Sequence, residues 1–438
     1  MQFRITGCKN IIRIGVGVAV LSTALFSGSV ATADSLQEDL KYLLENHPKL
    51  AAGKQNIVSA EKGIDAAYSG FLPKVSINGD AGWETTDNRS LDGRYDTDRY
   101  KAGISVRQNL FQGQRTTADI SSAETQKNIA DVELSFVTQQ LIYEGVVAYL
   151  NVERFQFLDL LARDNEDTLK KQLRLEDERV QRGAGIEVDV LQAKSRLQRA
   201  IERRVAFQGL LKEAKSRYLQ VFGKPANNVG VFDAVPPLEK MPTTLDDGLL
   251  RAVETNLQIQ SVKLQVENTE YQKIQASSDY YPSIDAVARY DWERDVDGTK
   301  GTEKSFFTGL ELNWEIFSGF LTDARVGQAA ARHSGSLASL QFAKQKVEEE
   351  VRIAWDALET ARERENLLKN AVNIAAEVFV ARQRLRDGGK ETALNVLDAE
   401  NEFYNARIAQ VGATYEARAA VYRVLLAIGE LSPENLEL

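Results

Sequence analysis

Two hydrophobic rhythms share this chain. From Val75 apolar and polar positions alternate: Val75, Ile77, Gly79, Ala81 and Trp83 stand on one face, with Ser76, Asn78, Asp80, Gly82 and Glu84 on the other. Ala102, Ile104, Val106 and Leu110 alternate with Lys101, Ser105, Arg107 and Asn109. A period of two predicts strands with one greasy face. Further on, the period changes to alternating steps of four and three. Val347, Val351, Ala354, Leu358, Ala361, Leu368, Val372, Ala375 and Phe379 form one seam, echoed earlier by Leu141, Ala148, Val152, Phe155, Ala162, Leu169 and Leu173. Such a heptad seam predicts coiled-coil helices over about Gln114–Gln181 and Phe320–Asp387, each about 100 Å long at 1.5 Å per residue. No proline lies between Lys74 and Lys224 or between Ser283 and Ser432, so nothing interrupts them. Glycines end both, Gly183 and Gly185 in one case and Gly388 and Gly389 in the other. A return helix follows each, running to Gly223 or Gly429.

Each rhythm therefore occurs twice. Pro73-Lys74-Val75 and Trp83-Glu84 find Pro282-Ser283-Ile284 and Trp292-Glu293 at a shift of 209. After one loop the shift is 206: Phe111-Gln112-Gly113 pairs with Phe317-Ser318-Gly319, and Asp189-Val190-Leu191-Gln192-Ala193 with Asn395-Val396-Leu397-Asp398-Ala399. The second copy alternates as the first does, with Ile284, Ala286, Ala288, Tyr290 and Trp292 on one face and Thr308, Leu310, Leu312, Trp314 and Ile316 on the returning strand. The expected organisation is a first repeat over 34–223, a Pro-rich linker over 224–244, a second repeat over 245–430 and a tail over 431–438. Within the repeats, a shorter opening helix precedes β-hairpins at 74–111 and 283–317 and helical hairpins at 114–223 and 320–430.

The first 33 residues are read as a signal peptide. Arg4, Lys9 and Arg13 precede an apolar run from Ile14 to Phe26, and Ala31-Thr32-Ala33 supplies the small-x-small cleavage pattern. Cleavage would remove the only cysteine, Cys8, and three positive charges, taking the net charge from −9 to −12. An acidic chain without a basic cluster argues against nucleic acid as a partner.

Three details assign the alternating segments to lipid rather than to a soluble core. Each strand is expected to be about ten residues, enough to cross a bilayer when tilted. Aromatic residues mark both ends, with Phe71, Tyr281, Phe111 and Phe317 at one and Trp83 and Trp292 at the other. The connections Thr85–Arg99 and Arg294–Lys304 are polar and read as external loops. Four strands cannot close a barrel, and an open edge in lipid leaves backbone groups unpaired, so several chains must share one. The competing reading is a periplasmic coiled-coil scaffold or adaptor whose hairpins lie in a soluble domain.

Paired β-hairpins, paired helical hairpins, the duplication and a tip reading Gly-x-x-x-x-x-Asp-Val-Leu-x-Ala resemble the TolC-like outer membrane efflux proteins over essentially the whole mature chain. The resemblance implies an α+β membrane protein. In it a homotrimer shares a 12-stranded β-barrel in outer membrane lipid, and the helices form a tube across the periplasm. It also implies an exit duct that docks, at the helix tips, with a periplasmic adaptor and an inner membrane pump of the ABC or RND type, for type I secretion or efflux.

Nothing in the chain suggests catalysis, a cofactor or a metal. His47 and His333 are far apart in the repeat, and neither has metal-ligand spacing. His47 precedes Pro48 and reads as a solvated or capping residue. By resemblance, Asp398 and Asp189 match acidic residues of a periplasmic gate, with Asn395 where a second aspartate is common. Arg386 and Glu391 stand where a latching tyrosine and arginine would be. Gly183, Val190, Leu191, Gly388, Val396 and Leu397 are the expected docking residues, small and apolar groups at a hairpin tip. Packing within the hairpin would use the same leucines.

Overall fold

A computed structural model describes residues 36–88, 93–227, 229 and 236–438. The signal peptide expected at 1–33 lies outside them, as does the part of the linker at 228 and 230–235. The first repeat runs α1 (Leu36–Asn46), α2 (Pro48–Tyr68), β1 (Lys74–Asn88), β2 (Gly93–Gln112), α3 (Arg115–Gln181) and α4 (Glu187–Phe222). The second repeats it as α5 (Leu245–Thr255), α6 (Leu257–Ser277), β3 (Ser283–Val296), β4 (Thr299–Asn313), α7 (Leu321–Asp387) and α8 (Ala393–Ile428). Among the described residues no helix is long and apolar enough to cross a membrane.

The opening helix of each repeat is two helices, broken at positions related by the 209-residue shift. His47 caps α2 through its Nδ1, which accepts from the Lys49 N–H at 3.1 Å, and Pro48 follows in the first turn. Asn256 caps α6, its Oδ1 accepting from the N–H groups of Gln258 (2.9 Å) and Ile259 (3.3 Å).

All four strands form one antiparallel sheet in the order β1-β2-β3-β4, leaving β1 and β4 with open edges. The strands hold 15, 20, 14 and 15 residues. They therefore run well into the segments read from sequence as loops. The reason is cross-strand polar pairing beyond the apolar band: the Thr85 hydroxyl donates to Asp96 at 2.7 Å and Arg99 reaches Glu84 at 3.2 Å. Between β3 and β4 only Asp297-Gly298 remains, both residues at positive φ (49° and 74°), as a two-residue hairpin turn requires. At the other end β4 stops at Asn313, so Trp314 and Ile316 lie beyond the strand.

One apolar face emerges from the register, with rows such as Ile77–Ile104–Tyr290–Phe306 and Val75–Val106–Ala288–Thr308. The opposite face carries ion pairs: Arg107 bridges Asp285 and Glu311, each at 2.8 Å, and Lys101 meets Glu293 at 3.0 Å. The sheet is also staggered. Trp292, the repeat partner of Trp83, stands opposite Ala102, which pairs with Gly79. Each two strands thus slip by four residues, the tilt that a closing barrel demands.

Below the sheet the helices pack side by side. Near the sheet the order is α2-α3-α6-α7; farther away α4 packs on α3, α3 on α8 and α8 on α7. The heptad seam is the contact: Val347, Val351, Ala354, Leu358 and Ala361 are all buried, the last three against Ala417, Ala420, Val421 and Val424 of α8. The largest core lies where the short helices meet α3, α4 and α8, around Leu40, Leu43, Ile142, Val146, Tyr149, Tyr218, Leu425 and Ile428. Ala226 and Val229 of the linker join it, and so do Leu431 and Leu436, which makes the C-terminal segment part of this girdle rather than a free tail. Asp39, fully buried, ties the linker down through Lys224 at 2.6 Å.

Candidate functional site at the helical tips

Both long helices end in the same turn. The N–H of Ala184 donates to the carbonyl of Arg179 and that of Gly183 to Val180, each at 2.9 Å; Lys390 to Leu385 and Gly389 to Arg386 repeat this. These are the paired bonds of a Schellman motif. The left-handed residue is Gly183 (φ 74°) in one tip and Gly389 (φ 72°) in the other, while Gly388 caps its helix at φ −83°. A Cβ on Gly183 or Gly389 would meet nothing within 4 Å, so backbone conformation, not space, demands glycine there. The return helix α8 is then capped by Thr392, whose hydroxyl accepts from the Asn395 N–H.

The residues read as docking groups divide sharply. Val190, Val396 and Leu397 are buried, whereas Leu191 is 57% exposed. Leu397 packs with Leu169 and Ala200, so it joins the two hairpins of the chain to each other. Ile186, Val188 and Leu394 are exposed apolar residues at the tips that pattern reading passed over. Their signal is local: Ile186 and Val188 stand directly after Gly185, and Leu394 follows closely on Gly388-Gly389.

The acidic candidates are equally distinct. Asp189 lies half-buried in the first turn of α4, where a carboxylate faces the helix N-terminus. Asn395 is engaged locally, its Nδ2 donating to Glu391 at 2.5 Å. Glu391 also accepts from the Thr392 N–H and pairs with Arg382 at 3.2 Å; the bonds from Asn395 and Thr392, then the Arg382 charge, hold its carboxyl below the usual range. Asp398 is ion-paired with Arg196 of α4, across the junction between the hairpins.

That junction is a ladder of polar contacts missed in the sequence. Tyr404 donates to Asp164 at 2.9 Å, Gln172 to Glu400 at 2.5 Å, and Arg203 to Asn405 at 2.7 Å. Arg386 bonds Glu176, tying the start of one tip to the other. Arg386, at the place of a family latch residue, thus makes a cross-hairpin contact of its own. A cavity of about 300 Å³ lies within the ladder, between α3, α4 and α8.

At the far end of the molecule, Phe71, Phe111, Tyr281 and Phe317 ring the sheet–helix boundary and are all exposed, with Phe317 edge-on to Phe320 at 5.4 Å. Trp83 is exposed near the hairpin end and Trp292 half-buried. His333 meets the Thr269 hydroxyl at 3.2 Å, and no group of metal-ligating residues occurs among the described residues.

Residues 40–224 and 249–430 match the family model described as outer membrane efflux protein, one stretch per repeat. The chain belongs to the outer membrane efflux protein family. The outer membrane efflux protein BepC of Brucella suis biovar 1 (strain 1330) is 25% identical over 435 residues, spanning 98% of this chain and 92% of BepC. The outer membrane protein TolC of Vibrio cholerae serotype O1 is 23% identical over 429 residues, 97% of this chain and 95% of that one. The solved outer-membrane channel OprN superposes with a TM-score of 0.77 at 20% identity over 90% of each chain. This efflux protein is accordingly an outer membrane channel for efflux or secretion, with a periplasmic helical extension, and a transport channel rather than an enzyme.

Proposed function

We propose that three copies of this efflux protein form one duct, which docks at its helical tips with a periplasmic adaptor and an inner membrane pump of the ABC or RND type. The observation that carries the assembly is the pair of open edges. Among the described residues β1 and β4 each lack a neighbour on one side, so β4 of one copy can pair with β1 of the next. Three four-stranded sheets make twelve strands, with the aromatic residues at 71, 83, 111, 281, 292 and 317 bordering the lipid. The helices support the same arrangement. The outer face of α7 carries Leu367, Ala371, Ile374, Val378, Ala381 and Leu385, a second heptad seam that is exposed in the single chain. A neighbouring α4, with Val205 exposed, offers a partner for it.

In this reading the tips do two jobs. Asp398, Asn395 and Asp189 form the gate, and Gly183, Leu191 and Gly388 with Ile186 and Val188 form the surface that an adaptor's helical tip meets. Val190, Val396 and Leu397 support that surface from behind. Because Arg196 neutralises Asp398, its carboxylate acts in closure as well as in ion selection. Native mass spectrometry of the detergent-solubilised protein should give three chains, and planar-bilayer recording should give a higher conductance for Asp398→Ala than for the wild type. A dimer or tetramer would overturn the stoichiometry, and an unchanged conductance and cation selectivity the gate.

A further inference from the structure

Glu400 is a deeply buried carboxylate near the tips that the gate does not use. It lies on α8, 1% exposed, at the junction where the two helical hairpins of the chain meet. Its Oε2 accepts from Gln172 of α3, on the other hairpin. Its Oε1 has no hydrogen-bond partner, and neither has Oε1 of Gln192, which lines the same cavity. A buried carboxylate with an idle oxygen is costly, and a buried carboxylic acid much less so.

The surrounding charges are few and identifiable. From α4 come Arg196, Arg199 and Arg203 along the cavity wall; from α3 comes Asp164; on α8 itself stand Asp398 and Tyr404. Arg196 is the cation that acts on Glu400, and it is held by Asp398. Asp164, which repels a charge on Glu400, already accepts the Tyr404 hydroxyl. α7 sends Arg386 to Glu176, one helical turn from Gln172. Among the described residues no cation forms an ion pair with Glu400.

We propose that Glu400 is a proton-controlled lock between the two helical hairpins of each chain: protonated, it holds the junction shut, and ionised, it loosens the tip. Once charged, Oε1 competes with Asp398 for Arg196 or draws water into the cavity beside it. Either course weakens the Arg196–Asp398 contact that ties the hairpins together. Burial pushes the Glu400 carboxyl up to about 7, against the lowering effects of Gln172 and Arg196.

The sign follows from linkage. A solvated glutamate in the loosened junction titrates near 4.5 and the closed junction near 7, so the closed form binds the proton more tightly. Closure is fully favoured below about 4.5 and loses its advantage as pH rises through about 7. The closed-to-loose ratio then falls by roughly one to two orders of magnitude. Glu166, held low by its bonds to Lys170 and Arg204, stays ionised through this window and does not contribute.

The proposal rests on reading the tips as the gate, and its test separates the two. Cysteines placed at the exposed positions Lys194→Cys on α4 and Glu402→Cys on α8 take spin labels in an otherwise cysteine-free mature chain. In the full-length assembled protein, the distance between the labels should lengthen or broaden between pH 5.5 and pH 8. Glu400→Gln, which keeps the acceptor for Gln172 and cannot ionise, should hold the short distance at both. Gln172→Leu, which removes a bond favouring the ionised form, should move the midpoint to higher pH. A distance that ignores pH in the wild type, or a pH response that survives in Glu400→Gln, overturns the lock. Distances that move while bilayer conductance stays flat support the lock and count against the gate.

Discussion

Single positions decide where this chain bends. Gly429 ends α8 at φ 85°, and a Cβ there would come within 2.7 Å of the Asn256 Cα and of the Thr255 carbonyl oxygen. Gly223, its counterpart at φ 70°, has open space around it. Gly429→Ala should therefore cost about 2–4 kcal/mol, from left-handed strain plus overpacking, and Gly223→Ala only about 1–2 kcal/mol from strain alone. Denaturation midpoints of the two variants measure the difference; equal losses would mean that the α5–α6 corner yields freely. Glu400 belongs to this scale too, and the sequence conceals it. A glutamate next to Asn401 and Glu402 carries no mark of burial, because what buries it is the other repeat, about 228 residues away. Asp398 becomes a candidate only by family resemblance, and nothing in the sequence points to its ion-pair partner Arg196.

At the scale of elements, the long helices were readable almost to the residue. Their seam has no competing period, and glycines stand where the left-handed turn requires them. The strands were readable in place but not in length. Alternation shows only while one face is greasy, and beyond the lipid band both faces of β1 and β2 are polar, so the paired strand looks like a loop. Asp297-Gly298 was the available signal for the tight second hairpin. The helix breaks were half-visible: Pro48 announced one, whereas Asn256 does by side-chain bonds what proline does by backbone geometry. Asn256 also donates to the Ala427 carbonyl at 2.9 Å, fastening α6 to the end of α8. Asn256→Ala should thus cost about 2–3 kcal/mol, cap and tether together, against about 1 kcal/mol for His47→Ala. A chemical denaturation series checks the order. The His47 cap should be the acid-sensitive one. Burial, then Lys49, lowers its ring below the ordinary value, and only the neutral Nδ1 accepts from Lys49. Its contribution is present above the ordinary pKa and lost as pH falls through the lowered one.

At the scale of the whole molecule, the proposed assembly makes each repeat a segment of a ring and one chain a larger segment. The sheet and the helices come to the same two edges: β1 lies on the side of α2 and α4, and β4 on the side of α7. Closure must then bury the outer seam of α7, which a single chain leaves bare. Ile374 is 64% exposed there, and its loss should not disturb the fold of one chain, whose own seam runs through Val372, Ala375 and Phe379. Placed between copies in the proposed trimer, an aspartate at this position would be desolvated, at a cost of roughly several kcal/mol per interface. Ile374→Asp should therefore still be made as a folded chain but lose the assembled species on size-exclusion chromatography with light scattering, and with it the outer membrane fraction. Asn373→Asp adds the same charge one residue away, on neither seam, and should assemble normally. If both variants assemble alike, the α7 seam faces solvent or an adaptor, and the strands alone hold the ring together.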